Sequence, residues 1–297
     1  MKRYRFVLTV LALILAIGVF AGGYAAWKEE ECHSLYECAE KGAVRQLRER
    51  IRQGEDVNAQ DETGFMALHA AALQGHRACV EALLEAGADP NQPLGGELAM
   101  TPLMYAAHSG DIGCFKALLR AGANPNAQLA DGTTALYFTV GKGYDDCLIA
   151  LLEAGADIEQ RREKEGYGYT PLIWATQGGH PGCVDILLRA GADKEAQLTD
   201  GSDALMWAAD LGHERIVKLL LQAGANPNAT NIHQVTALMR AAVNGYEDCV
   251  KELLKGGADP KARDIAGDTA RDYALHSNHR GPHLGCARLL EEAEAKE

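Results

Sequence analysis

Residues 101–126 read TPLMYAAHSGDIGCFKALLRAGANPN, and the same design returns in AALQGHRACVEALLEAGADPN at 71–91 and AADLGHERIVKLLLQAGANPNA at 208–229. Working outward from these stretches, one leucine aligns as Leu35, Leu68, Leu103, Leu136, Leu172, Leu205 and Leu238, at spacings of 33, 35, 33, 36, 33 and 33. A glycine stands seven residues after each leucine, from Gly42 to Gly245, and another stands nineteen after, from Gly54 to Gly257. A fixed period of this length is the signature of a repeat architecture.

Helix physics accounts for the fixed positions of one unit. Thr101-Pro102 and Thr170-Pro171 read as helix starts, because a threonine hydroxyl accepts an orphan amide and proline fits the first turn. The first glycine ends that helix. The second ends a longer helix whose apolar face carries Leu83-Leu84, Leu118-Leu119 or Leu187-Leu188, since glycine takes the left-handed conformation after a helix at little cost. Each unit is therefore predicted to run helix, turn, helix, extended loop.

TPLMYAAHSG at 101–110 and the two longer stretches quoted above resemble ankyrin repeats, and the 33-residue period is that of the family. The resemblance covers residues 34 to 275 closely and the remainder loosely. It implies an all-α ankyrin-repeat solenoid of helix-turn-helix units with short β-hairpin loops, preceded here by one N-terminal apolar helix. The chain departs from the family's Thr-Pro-Leu-His box, whose histidine survives only at His69; the box reads DALM at 203–206 and TALM at 236–239. The units expected are an N-terminal cap at 34–59, repeats at 60–92, 93–127, 128–160, 161–196, 197–229 and 230–262, and a C-terminal cap at 263–297.

The chain has 297 residues, 47% of them apolar and 24% charged, a globular composition that excludes a disordered chain. Its formal net charge of −12 argues against nucleic acid as a partner. Residues 6–27 carry no charge, follow Lys2, Arg3 and Arg5, and precede Lys28 and three glutamates. Such a segment reads as a transmembrane anchor or a cleaved signal peptide. The charge asymmetry places the repeats outside the cytoplasm, periplasmic in a bacterium, so residues 1–33 are expected to be a membrane anchor or signal with a short linker.

Cys79, Cys114, Cys147, Cys183 and Cys249 each lie eleven residues after a repeat leucine. Equivalent positions in stacked repeats sit about 8 to 10 Å apart, beyond the Cα limit of about 7 Å for a disulfide, so these are expected to be buried thiols. Cys286 fits the same register and Cys38 sits where later units carry Ala71 or Ala106. Cys32 lies outside the pattern and could be free, pair with another chain, or do neither. His76-x-x-Cys79 and His180-x-x-Cys183 mimic metal-ligand spacing but belong to the repeat. HSNHRGPHLGC at 276–286 gathers His276, His279, His283 and Cys286, which could converge on a metal, although a decorated cap loop is the commoner use of such a stretch.

Two positions after the leucine, four consecutive units carry Tyr105, Phe138, Trp174 and Trp207, followed by Arg240. By resemblance this position looks into the concave groove, where a ladder of rings could grip a partner segment or could merely pack against neighbouring helices. His108, Gln177 and Asp210 would line the same groove. The two long spacings lengthen the fingertips before Leu103 and Leu172, and the second bears Arg161, Arg162, Lys164, Tyr167 and Tyr169. Arg and Tyr suit an interface, although a solvated loop is the plainer alternative.

No phosphate loop, GxSxG elbow or HExxH is present, so the chain reads as no enzyme, without a cofactor. The expected function is a protein-protein interaction module or scaffold, a monomer binding its partner on the concave face near a membrane. The alternatives are an accessory role for an exported enzyme, or a metal or redox role of the C-terminal cap.

Overall fold

In the computed structural model, which describes residues 32–61, 64–94, 99–276 and 281–295, Thr101 shows why an inner helix begins where it does. Its backbone is extended, its hydroxyl accepts the N–H of Met104 at 3.4 Å, and Pro102 occupies the first turn. Thr170, Thr236 and Thr269 cap Ile173, Met239 and Asp272 in the same way, and Asp203 caps Met206.

Sixteen helices follow in pairs among the described residues. The inner helices are α1 (Leu35–Glu40), α3 (Ala67–Gln74), α5 (Pro102–Ser109), α7 (Ala135–Lys142), α9 (Pro171–Gln177), α11 (Ala204–Asp210), α13 (Ala237–Asn244) and α15 (Ala270–Leu275). The outer helices are α2 (Val44–Arg52), α4 (Arg77–Glu85), α6 (Ile112–Arg120), α8 (Asp145–Glu153), α10 (Pro181–Arg189), α12 (Glu214–Gln222), α14 (Glu247–Lys255) and α16 (Leu284–Glu294). Inner helices pack on the next inner helix and outer on the next outer, so residues from His33 onward form one compact unit.

The outer helices bury a narrow stripe at positions i, i+1 and i+4, as in Cys79, Val80 and Leu83, or Cys114, Phe115 and Leu118, all fully buried. The second leucine of each pair, Leu84, Leu119 or Leu188, is only half-buried, because it lies one residue around the helix from that stripe. Cys79, Cys114, Cys147, Cys183, Cys249 and Cys286 are free buried thiols. Cys32 and Cys38 are both disulfide-bonded, which removes Cys32 from the free thiols and settles a question its position alone left open.

The glycine closing each inner helix answers two demands at once. Gly110 and Gly143 have φ of +77° and +74°, and a Cβ on either would stand 2.5 Å from the ring of Tyr144 or His180 in the next unit. The residue eight after each leucine thus caps the glycine of the unit before it.

Between units the chain makes narrow fingers, and among the described residues isolated antiparallel bridges close three of them: Gln60 with Met66, Arg162 with Tyr169, and Thr230 with Thr236. Adjacent fingers share single backbone bonds, from Thr199 N–H to Tyr167 O at 3.2 Å, from Ile232 N–H to Asp200 O at 3.0 Å, and from Ile265 N–H to His233 O at 3.2 Å. Asn58, Asn91, Asn126 and Asn228 then stitch successive loops. Asn91 donates to Gly122 O at 3.0 Å and accepts from Asn124 N–H at 2.7 Å, and the others do likewise one unit apart.

The membrane-anchored reading is corrected. Among the described residues no helix is long and apolar enough to cross a membrane, and residues 6–27, which carried that expectation along with the N-terminal helix, lie outside the described residues.

Candidate functional site

In two units the position after the repeat leucine orients the finger that follows. His69 is fully buried; its Nδ1 accepts from Met66 N–H at 3.3 Å and its Nε2 bonds Gln92 O at 3.0 Å, which defines a neutral ring with the proton on Nε2. Burial holds this imidazole down at about 4. One finds Tyr137 in the same register two units later, its hydroxyl bonded to Gln160 O at 2.6 Å and to Tyr169 O. Both side chains reach a carbonyl 23 residues ahead, so Tyr137 does the work of the missing box histidine.

The next position carries the ring ladder, and the structure divides it. Tyr105 is buried, with edge contacts to Phe65 at 5.2 Å and His69 at 5.6 Å between centroids. Phe138 is half-buried beside His108, ring centroids 6.4 Å apart. Trp174 meets Tyr137 and Tyr169 edge-on, and the Arg162 guanidinium and Lys164 ammonium lie 4.8 and 5.0 Å from its ring centroid. Arg240 pairs with Asp210 at 3.5 Å, and Asn244 donates to the same carboxylate. A stagger runs through these pairs: the ladder residue of one unit meets the groove residue of the unit before, Phe138 on His108, Trp174 over Gly141, and Arg240 on Asp210.

The basic fingertip is largely committed to its own chain. Arg161 donates to Gly168 O at 2.8 Å and Gln197 O at 3.0 Å, Arg162 pairs with Asp131 at 3.1 Å, and Tyr169 is buried. Tyr167 remains half-buried, its ring 6.1 Å from that of Tyr169.

Trp207 differs from the other rungs. It lines a cavity of 280 Å³ in the angle between two fingers and helices α11 and α13, with Tyr167, Tyr169, Asp200, Asp210 and Arg240 around it. Among the described residues its buried indole N–H has no acceptor and no cation lies over its ring. Asp200, Ser202 and Glu165 complete the polar wall and were invisible from sequence, because finger residues carry no periodic signal. Gln177 is half-buried at the end of α9 and hydrogen-bonds Tyr169, which lines the cavity.

The stretch at 276–286 does not assemble. His276 Nδ1 bonds Asp272 O at 2.9 Å, the His283 ring covers Gly245, Cys286 is a buried free thiol, and His279 lies outside the described residues. Among the described residues no group of three or more potential ligands could hold a metal.

Three copies of the family model for ankyrin repeats match residues 35–129, 103–198 and 191–264. The chain belongs to the ankyrin repeat family. It is 31% identical over 176 residues to the mitochondrial disaggregase of Bos taurus, covering 58% of this chain and 25% of that protein. It is 40% identical over 144 residues to palmitoyltransferase akr1 of Schizosaccharomyces pombe, covering 48% of this chain and 22% of that protein. The match thus spans about a quarter of each of these longer proteins, whose names include enzymes. The human ASB11 ankyrin repeat domain superposes with a TM-score of 0.67 at 30% identity, over 77% of this chain and 100% of that domain. Repeats of this kind make the chain a protein-protein interaction module.

Proposed function

We propose that the chain docks a segment of a partner protein in the angle between its fingers and inner helices, on the concave side of the stack, and performs no catalysis itself. The observation that carries this reading is the cavity against Trp207, where rings, carboxylates and a guanidinium converge. Sheltered aromatic and arginine side chains dominate interface energetics. Trp207, Arg240, Asp210, Tyr167 and Tyr169 would touch the partner, Phe138, His108 and Gln177 would extend the surface along the stack, and Tyr105, Trp174, Arg161 and Arg162 would brace it. The net charge of −12 favours a protein partner over nucleic acid.

The test is affinity capture by the immobilised full chain from a lysate of its source cell, beside a Trp207→Ala variant matched in circular dichroism. A protein retained by the native chain and depleted at least about tenfold by the variant, a loss of ~1.4 kcal/mol, supports the reading. Retention unchanged by Trp207→Ala and by Arg240→Ala removes the cavity as the dock.

A further inference from the structure

We infer that the Trp207 cavity is built for a basic side chain, arginine or lysine, presented by the partner segment; this rests on the docking reading above. The chain supplies its own precedent one unit earlier. Trp174 occupies the same register, and there the long finger folds Arg162 and Lys164 against the ring, at 4.8 and 5.0 Å from the centroid. A cation over an indole face is attracted by the ring quadrupole, most strongly where water is excluded. The repeat after it has the ordinary 33-residue spacing, so its finger is three residues shorter than the 36-residue one and brings no such cation. Among the described residues Trp207 has no cation over its ring.

Charge points the same way. Asp200, Asp210 and Glu165 line the cavity against the single guanidinium of Arg240. Arg240 stands 3.5 Å from Asp210, at the outer edge of hydrogen-bond distance, and among the described residues the Asp200 carboxylate is bonded within its own turn, to Ser202 N–H at 2.9 Å and Ser202 Oγ at 3.0 Å. Both carboxylates keep lone pairs for a further donor. An acidic side chain would find excess negative charge, whereas a guanidinium or ammonium would find carboxylates and three rings. Beside the cavity, Ile232 bonds through its backbone to Asp200 O and is 63% exposed, and Ile265 stands equivalently on the next finger at 64%. An apolar residue following the basic one would lie on these two side chains.

The inference is tested on the indole N–H resonances of the full chain labelled with ¹⁵N, assigned with Trp207→Phe and Trp174→Phe. N-acetyl-arginine amide and N-acetyl-lysine amide are titrated beside the uncharged N-acetyl-norleucine amide. The Trp207 resonance is expected to move saturably with the two cations, with Trp174 unmoved, and Asp200→Asn with Asp210→Asn is expected to weaken the effect at least fivefold. An equal response to norleucine, or none to either cation, overturns the inference. Selection of displayed random dodecapeptides on the same chain separates this failure from that of the docking reading. Selected peptides with a basic position support the inference, and selected peptides without one overturn it while docking stands. No selected peptide counts against docking and takes the inference with it.

Discussion

His69 and Tyr137 show how one register position can do the same job with different chemistry. Each ties an inner helix to a carbonyl of the following finger, and only the histidine makes that tie sensitive to pH. The His69 ring is buried and its folded value lies near 4 against an ordinary 6.5, so folding favours the neutral form. The stability it contributes is whole above pH 6.5 and declines as pH falls toward 4, at about 1.4 kcal/mol per unit. Urea denaturation at pH 7 and 5 should show this slope in the native chain and lose it in His69→Gln. Asp203 behaves oppositely. Burial raises its carboxyl to about 6 although it caps Met206, so its charged form is disfavoured in the folded chain and stability falls as pH rises from 3.8 through 6. Replacement by the threonine used at the other caps, Asp203→Thr, should therefore stabilise the chain by about 2 kcal/mol at pH 7 and leave it nearly unchanged below pH 4. The box register was legible in the sequence; that a tyrosine could replace its histidine was not, because only the position of Gln160 reveals the shared acceptor.

The fingers are the elements on which sequence reading and structure diverge most. Arg161, Arg162 and Lys164 look like an interface when read along the chain, because a sequence shows which charges are near in number and not which ring or carbonyl lies across the fold. Asp131 and Trp174 take up that charge from 31 and 12 residues away in sequence from Arg162. The helical caps and glycines, by contrast, are set within a few residues and were readable for that reason. One interior glycine tests the packing of the finger. A Cβ at Gly141 in α7 would stand 2.8 Å from Trp174 Nε1, and that indole is pinned by Tyr137, Tyr169 and two cations. Gly→Ala in a helix ordinarily gains about 1 kcal/mol; Gly141→Ala should instead lose about 1 to 2 kcal/mol by overpacking. Thermal denaturation decides the sign, and a stabilised variant would show that Trp174 is free to move.

For the whole molecule, the period was plain because every unit solves the same packing problem with the same few residues. The Asn ladder that joins the loops was just as periodic in GADPN and GANPN but carried no meaning until the carbonyls of the next unit were in place. Since each pair of helices makes its main contacts with its neighbours, stability is spread along the stack as local and nearest-neighbour contributions. Leu148 and Leu151 are fully buried in α8, and truncating both to alanine should cost about 2 to 5 kcal/mol each in one central unit. The expected result is a split transition: Trp174 and Trp207 fluorescence, reporting the C-terminal side, should separate in urea midpoint from hydrogen exchange of α3 and α5. A single coincident transition would show cooperativity reaching past nearest neighbours.

The column of buried thiols gives the molecule a set of natural reporters. Cys79, Cys114, Cys147, Cys183, Cys249 and Cys286 mark six outer helices, and α12 alone from α4 onward carries Ile216 at that register. Desolvation raises every one of these thiols, Cys79, Cys147 and Cys286 to about 11 and Cys249 to about 12, so a folded unit shields its cysteine both by steric cover and by suppressing the thiolate. An alkylating reagent reads each unit only at the moment it opens. Peptide-resolved labelling rates would therefore chart, without a single engineered residue, the order in which the stack frays from its ends.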